Sequence, residues 1–361
     1  CILFLIQGGQ YSLGKTINLV MVVPVLAAVV SNHIENDSLR ICLERVINSY
    51  LIITIPGFIF WILSLFNLVT TNTVLPVSWG AASVGMESVA RNGYYDALFE
   101  MQWIDNPFTG SHILRFTSIF VEAPVFAGIS LIILSMALFW GKTPLWKILL
   151  ITSMCIASFS TTAFVIVPVI LLFKYFSVAK YQVLKNGFDL RIVVFAVLCL
   201  LITVFAIIYV PTALSYKAQT DSGHIRYNDI ISGVSAFLDS PFWGHGINNF
   251  DALTAYMSSY KDSSSQTSTF LSILGQGGII LILLYFFPFF FVKKNFGSLA
   301  SGLQFHFPVF VFIIVMLNCN LEFATIIYLF IAIGYALAFA PKQNMSRQIC
   351  VPNKFEIASN Q

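Results

Sequence analysis

Two arginines stand beside the polar passages of a chain that is otherwise strongly apolar, and both could bind phosphate. Arg115 lies where the first long polar passage meets an apolar run, and Arg226 lies within the second passage. A guanidinium group holds phosphate oxygens with a rigid pair of N–H donors and keeps its positive charge. The alternative is that each arginine anchors a helix at a membrane surface or pairs with a nearby acid such as Asp229.

Acid and base groups accompany these arginines. Glu122 is expected a little more than one turn inside an apolar helix, where an acid is costly and usually faces a polar cavity. His245 stands between two glycines and could act as a base or as a hydrogen-bond donor. The alternatives are a capping or ion-pairing role for Glu122 and a solvated turn for His245. Glu322, at the turn of the last apolar region, is open to the same two interpretations.

One nucleotide-binding pattern is a coincidence. Gly9–Thr16 fits the phosphate-binding loop, but the segment that follows, Ile17–Val30, is apolar on all sides and contains Pro24, which indicates a membrane span. No HExxH, paired CxxC or Asp-x-Asp signature is present, so no catalytic metal and no cofactor are expected. The six cysteines avoid both polar passages and do not indicate a disulfide framework.

The composition excludes a soluble domain. Hydrophobic residues make up 58% of the chain and charged residues only 10%, whereas soluble domains carry about 25% charged residues. The chain begins at Cys1 inside an apolar run, with no Met. We therefore expect residues 1–361 to form one integral membrane domain that lacks upstream spans.

Apolar runs of about 20 residues predict the membrane-crossing helices. After the end of an earlier span at Cys1–Ile6, whole spans are expected at Thr16–Val30, Tyr50–Val69, Phe116–Trp140, Ile192–Val210 and Thr269–Val292. Two longer regions, Ile148–Phe176 and Phe305–Phe339, have basic residues on both flanks. The positive-inside rule makes each of them a hairpin, because both flanks must return to the same side. The turns are expected near Ser158–Thr162 and near Asn318–Asn320.

The resulting fold class is all-α: a polytopic helical bundle with about nine visible spans and two large outer loops. These loops are Thr70–Arg115 and Pro211–Ser268, and most of the 19 basic residues fall on the opposite, inner side. We expect interfacial helices in both loops. In the second loop, Arg226–Leu238 has apolar residues at helical spacing, which is typical of a helix lying in the membrane interface. Asn248–Tyr260 can form a second helix.

Four pieces of sequence, in this order, resemble the O-antigen polymerase and ligase superfamily, and within it the oligosaccharide repeat-unit polymerases. The pieces are Arg115–Phe120 with Glu122–Pro124, the hairpin segment Ser158–Phe164, Arg226 followed by Ser240–Phe250, and Thr269–Ile280. The resemblance covers roughly Arg115 to Phe339. It departs from the family at Ser265–Ser268, where many members, ligases especially, have a histidine. It departs again at Ser160-Thr161, where Ser-Arg is usual.

The resemblance implies a glycosyltransferase in the bacterial inner membrane, with several spans and a periplasmic site. A growing O-antigen or capsule chain would pass from undecaprenyl pyrophosphate to a hydroxyl of a second lipid-linked repeat unit. Arg115 and Arg226 would stabilise the leaving pyrophosphate, and Glu122 or His245 would orient or deprotonate the acceptor. Asn248 and Asn249 would contribute to substrate binding. The expected partners are lipid-linked oligosaccharides, membrane lipid and a chain-length regulator, and no nucleic acid.

Two other functions stay open from the sequence. A ligase would share the fold and the chemistry but use a different acceptor. A flippase or another carrier of lipid-linked oligosaccharide would differ in class. Carriers tend to show internal repeats and polar sites at the midplane of the membrane, whereas here the polar residues collect in the outer loops. That distribution favours an enzyme.

Overall fold

The computed structural model is mostly helical. It describes residues 18–36, 38–77, 89–95, 98–99, 102–105, 111–120, 122–186, 221–247, 249–257, 267–292, 299–321 and 325–339, with scattered positions between 197 and 215. The predicted span Ile192–Val210 lies mostly outside the described residues. Glu322 and Asn248, the Gly9–Thr16 pattern and the predicted span end at Cys1–Ile6 also lie outside them.

The helices follow the apolar runs of the sequence. A π-helical turn at Asn18–Val22 leads into α1, Val23–Glu35. The later helices are α2 (Leu39–Leu65), α3 (Ala123–Phe139), α4 (Leu145–Ala157), α5 (Thr161–Asn186), α6 (Asp221–Asp239), α7 (Phe250–Thr254), α8 (Thr269–Val292), α9 (Leu299–Asn318) and α10 (Thr325–Phe339). Both predicted hairpins have their turns where expected, since α4 and α5 are separated at Ser158–Ser160 and α9 ends at Asn318.

The core of the bundle surrounds α3, which is buried along nearly its whole length. It packs against α2, α4, α5 and α9, while α10 packs against α1 and α8. Within the described residues, α2 and α8 are long and apolar enough to cross a membrane, and the other apolar helices are shorter. The nine spans therefore stay a prediction.

The first large loop forms β-structure where we expected an interfacial helix. Its strands are β1 (Thr73–Val77), β2 (Val89–Tyr94), β3 (Leu98–Phe99), β4 (Gln102–Asp105) and β5 (His112–Arg115). Antiparallel pairing joins β1, β2 and β3 in one sheet and β4 with β5 in another. The register of the second pair sets Gln102 opposite Arg115. These short strands are stabilised by pairing between segments, which a helical-periodicity search does not detect.

The span predicted at Phe116–Trp140 begins later, at Ala123. Pro124 lies in the first turn of α3, where the fixed φ of proline and its missing N–H favour a helix start. The preceding residues leave β5 as an extended segment that packs on the α4–α5 turn, where Phe116 N–H donates to Ala157 O at 2.9 Å. The Phe116 ring lies against Phe126, with ring centroids 4.6 Å apart.

The second large loop supplies α6 and α7. Helix α6 begins at Asp221 rather than at Arg226, and α7 covers Phe250–Thr254, a shorter helix than the one predicted from Asn248 to Tyr260. Three contacts in register place α6 lengthwise along the first half of α8. Asp229 meets Thr267, a Cβ at Gly233 would meet Leu271, and Ala236 lies beside Gly275. The two helices therefore run parallel and side by side.

Candidate functional site

Arg115 closes the first loop onto the bundle. It is the last residue of β5, it is buried with 8% of its surface exposed, and its Nε–H donates to Ser158 O at 2.9 Å. Ser158 lies in the turn between α4 and α5, where Phe159 has a positive φ of 45°. The guanidinium plane is therefore fixed by a backbone carbonyl at the end of the bundle from which α3 begins.

Glu122 lies immediately before α3, not one turn inside it. It is half-buried, and its backbone is extended, with φ −126° and ψ 136°. The first N–H of the helix, at Ala123, donates to Gln102 Oε1 at 3.1 Å. Gln102 is also the strand partner of Arg115. One glutamine thus links the strand that ends in Arg115 to the helix start beside Glu122, so these two predicted site residues lie in the same corner.

Asp229 is a buried acid that the sequence indicated only as an ion-pair partner for a nearby arginine. It is 1% exposed, and its Oδ2 accepts a hydrogen bond from Thr267 N–H at 2.8 Å. Arg226 is half-buried and precedes Asp229 by three residues, so the two share one side of α6. Asp229 therefore fixes the Arg226 end of α6 to the start of α8. The spacing of three from an arginine was the only sequence signal.

A chain of hydrogen bonds joins the start of α8 to the start of α3. Thr269 N–H and Thr269 Oγ1 both contact Cys319 O, at 3.0 and 2.6 Å. Cys319 Sγ in turn donates to Pro124 O at 3.2 Å. The α9–α10 turn thus connects the start of α8, to which Asp229 is bound, with the start of α3, which Glu122 precedes. Arg115, Glu122 and Arg226 accordingly belong to one end of the bundle, which we call the arginine end.

The turn Ser240–Gly246 docks into a break in α8. Gly278 has φ 57° and ψ −155°, so the helix is interrupted there. The turn replaces the lost hydrogen bonds: His245 N–H donates to Gly275 O at 3.0 Å, Gly246 N–H to Gln276 O at 2.8 Å, and Ile279 N–H donates to Pro241 O at 2.9 Å. A Cβ at Gly278 would lie 2.6 Å from Pro241 O, which explains the glycine.

His245 lies away from Arg226. Its Nε2 is 2.9 Å from Ala236 O and 3.7 Å from Asp239 Oδ2, at the last turn of α6. Arg226 and Asp239 are thirteen residues apart on one continuous helix, which separates their backbones by about 20 Å. The hydroxyl of Tyr256 donates to Asp239 Oδ2 at 2.6 Å, and this hydrogen bond raises the pKa of Tyr256. His245 thus belongs to a second polar cluster with Asp239 and Tyr256.

Asn249 has a local structural role. Its Oδ1 accepts from Ala252 N–H at 3.2 Å, which caps α7, and its Nδ2 donates to His245 O at 2.9 Å. Both ends of the amide are therefore engaged within the loop. Among the described residues, no group of three His, Cys, Asp or Glu side chains is arranged to hold a metal ion.

These features define a mostly helical membrane protein in which Arg115 and Arg226 lie at one end, beside irregular backbone. A sequence model of the O-antigen ligase family matches residues 145–286, from the start of α4 into α8. The match confirms the resemblance to the O-antigen ligase and polymerase superfamily, whose members are glycosyltransferase-like enzymes. Arg226 and His245 fall inside the matched segment, and Arg115 and Glu122 precede it. No curated protein and no solved structure gave a match.

Proposed function

We propose that the protein is a polymerase that joins undecaprenyl-pyrophosphate-linked oligosaccharide repeat units into O-antigen or capsule at the periplasmic face of the bacterial inner membrane. The observation that carries the proposal is the arginine end itself. Arg115, Glu122 and Arg226 are tied to one end of the bundle through Gln102, Cys319 and Asp229. A pyrophosphate leaving group requires fixed positive charge where negative charge develops.

The proposed reaction transfers the growing glycan. A hydroxyl oxygen of the acceptor unit bonds to the anomeric carbon of the donor, and the bond from that carbon to the phosphate oxygen breaks. The hydroxyl proton passes to the base, and lipid pyrophosphate leaves with the bonding electrons. The carbonyl of Ser158 fixes the plane of Arg115 through Nε, and the guanidinium groups of Arg115 and Arg226 bind the phosphate oxygens. Cleavage of the activated bond drives the transfer, so ATP is not consumed.

Glu122 is the better candidate for the base. Its position beside Ala123 and Gln102 is near Arg115, and a general base must come within hydrogen-bond reach of the proton it removes. His245 is about 20 Å along α6 from Arg226, and its Nε2 is engaged with Ala236 O. Only the Nδ1 atom of His245 could serve as a base at its present position.

A ligase is the second candidate, because the matching family is described as O-antigen ligase. It would use the same donor and transfer the glycan to a different acceptor, the lipid A core. The sequence Ser265–Ser268, which has no histidine, favours the polymerase. A flippase of lipid-linked oligosaccharide is a third function and would need no base.

Gel analysis of the surface glycans of a strain that lacks the gene distinguishes the three functions. A lipid A core that carries a single repeat unit is the expected result for a polymerase. A core with no unit would overturn the polymerase proposal in favour of a ligase or a flippase. The side of the membrane on which lipid-linked units accumulate separates those two: the periplasmic side for a missing ligase, and the cytoplasmic side for a missing flippase.

A further inference from the structure

Helix α6 carries an exposed apolar stripe on the side that faces away from α8. Its members share one side of the helix within about 100°, given 3.6 residues per turn. They are Tyr227, Ile230, Ile231, Val234 and Leu238, and each is exposed in this chain. The opposite side, with Asp229, Ser232 and Ala236, is buried against α8. Contiguous exposed apolar surface of this kind marks an interaction site.

The stripe is continuous with the exposed face of α8. Phe242 follows α6, is 65% exposed, and its carbonyl accepts from Ile280 N–H at 3.4 Å. Ile279, the neighbour of that donor, is 40% exposed and begins a row of exposed apolar side chains along α8. The row continues through Leu283, Phe287 and Phe290, at the spacing of one helix face. The two apolar surfaces therefore meet at Phe242 and Ile279.

The charged groups near the stripe lie to either side of it. Asp239 is about 120° around α6 from the centre of the stripe, and its carboxylate is bound by the hydroxyl of Tyr256. Arg226 lies at the opposite border, about 100° from the centre. The stripe itself carries no charge, so a lipid surface with polar groups at its borders matches its chemistry.

We infer that the stripe of α6, with Phe242, is a lipid-contacting surface that extends the hydrocarbon-facing side of α8. The sequence predicted a helix lying flat in the interface. The structure adds that α6 runs parallel to the first half of α8, where the docked turn at Gly278 holds it. The occupant of the stripe is the acyl-chain region of the membrane. The inference concerns membrane contact alone and does not depend on which reaction the protein catalyses.

Photocrosslinking in native membranes tests the inference. Benzoylphenylalanine would replace Phe242, whose aromatic ring is exposed, and Val234 in a second variant. Thr254, exposed on α7, is the matched control. Irradiation should give a lipid adduct, seen as a small mass increase, at least several-fold more often at Phe242 and Val234 than at Thr254.

Each of the other outcomes would overturn the inference. A doubled mass at Phe242 and Val234 would identify a second copy of this chain as the occupant. A larger adduct of a different mass would identify a partner protein. Equal lipid labelling at Thr254, or no adduct at any position, would show that the stripe is not a membrane contact. The Phe242 variant exchanges one aromatic side chain for another at an exposed position. It therefore still tests the inference if the Val234 variant fails to fold.

Discussion

Cations lie at both ends of α3, but the two ends use them differently. At the end where α3 finishes, which we call the lysine end, Lys174 Nζ donates to Leu138 O and Lys147 Nζ donates to Asn48 Oδ1, each at 2.6 Å. At the arginine end, about 25 Å away along the 17 residues of α3, Arg115 and Arg226 lie beside the hydrogen bonds that join the first loop, α6 and the α4–α5 and α9–α10 turns to the bundle. Lys174 thus completes the end of α3 and Lys147 binds a side chain of α2, whereas Arg115 and Arg226 lie where several segments meet.

Backbone geometry separates the two ends as well. Within the described chain, the non-glycine residues with positive φ are Asn67, Tyr95, Ser118 and Phe159, and the glycines are Gly244, Gly246 and Gly278. They lie in the first loop and its flanks, in the α4–α5 turn, and in the docked turn with its contact on α8. None lies at the lysine end. Sparsely populated backbone conformations of non-glycine residues concentrate at functional sites, so the four non-glycine positions favour the arginine end as the place of the chemistry, whereas the three glycines belong to the docked turn.

The largest expected effect is the loss of an arginine. Arg115→Ala and Arg226→Ala should each lower polymer formation by about 100-fold or more, since one missing donor to a developing oxyanion has roughly this effect. Single repeat units should remain on the carrier lipid. Gel analysis with immunoblotting for protein amount measures both quantities. Lys147→Ala, at the lysine end, is the control and should give normal polymer.

The Arg115→Lys variant separates charge from fold. It keeps a cation at the buried position but loses the two-pronged donor set, so we expect folded protein with little polymer. Normal long chains from the variant with both arginines changed to alanine would remove the reason for placing the reaction at this end.

The next largest effect distinguishes the two candidate bases. Glu122→Gln should reduce the rate of polymerisation by about 100-fold, because general-base catalysis contributes on this order, while the amount of protein is unchanged. His245→Gln should retain most of the activity, since the glutamine amide can still donate to Ala236 O. Polymerisation rates of the two purified variants, measured with lipid-linked repeat units, would test both predictions. The opposite pattern, an active Glu122→Gln and an inactive His245→Gln, would move the base to the second polar cluster.

Disrupting the contact between the docked turn and α8 should lower the stability of the protein. Gly278→Ala forces a side chain into a positive-φ conformation and against Pro241 O, 2.6 Å from the new Cβ. We expect a loss of about 3 kcal/mol in the free energy of unfolding, measured by thermal unfolding in detergent. Gly141→Ala, at the lysine end, is the matched control because Gly141 has no positive φ and the atom nearest to its new Cβ is in a side chain, Thr143 Oγ1. Equal stability of the two variants would show that the break in α8 is not strained.

The sequence predicted the helices better than it predicted the contacts between segments that are distant in the chain. The bounds of α8, Thr269–Val292, and the turn after Ala157 follow from apolar runs and their charged flanks, because both signals are local. The strands of the first loop depend on pairing across the chain, so local periodicity could not predict them. Gln102 and Asp229 likewise matter through the partners that folding brings to them, Ala123 and Thr267. The arginines could be proposed in advance because their chemistry is specific.

The smallest expected effects belong to the lysine end. Lys174→Met removes the donor to Leu138 O and the contact of Nζ with the Phe139 ring at 5.2 Å, but it also ends the cost of keeping an ammonium group among apolar side chains. These effects oppose each other, so we expect a net loss of about 1 kcal/mol in the free energy of unfolding. Lys147→Met should change stability by less than about 0.5 kcal/mol because the hydrogen bond of Lys147 with Asn48 is exposed to solvent. Both variants should make polymer of normal length. A folded Lys174→Met protein without polymer would place part of the reaction at the lysine end and remove the distinction between the two ends.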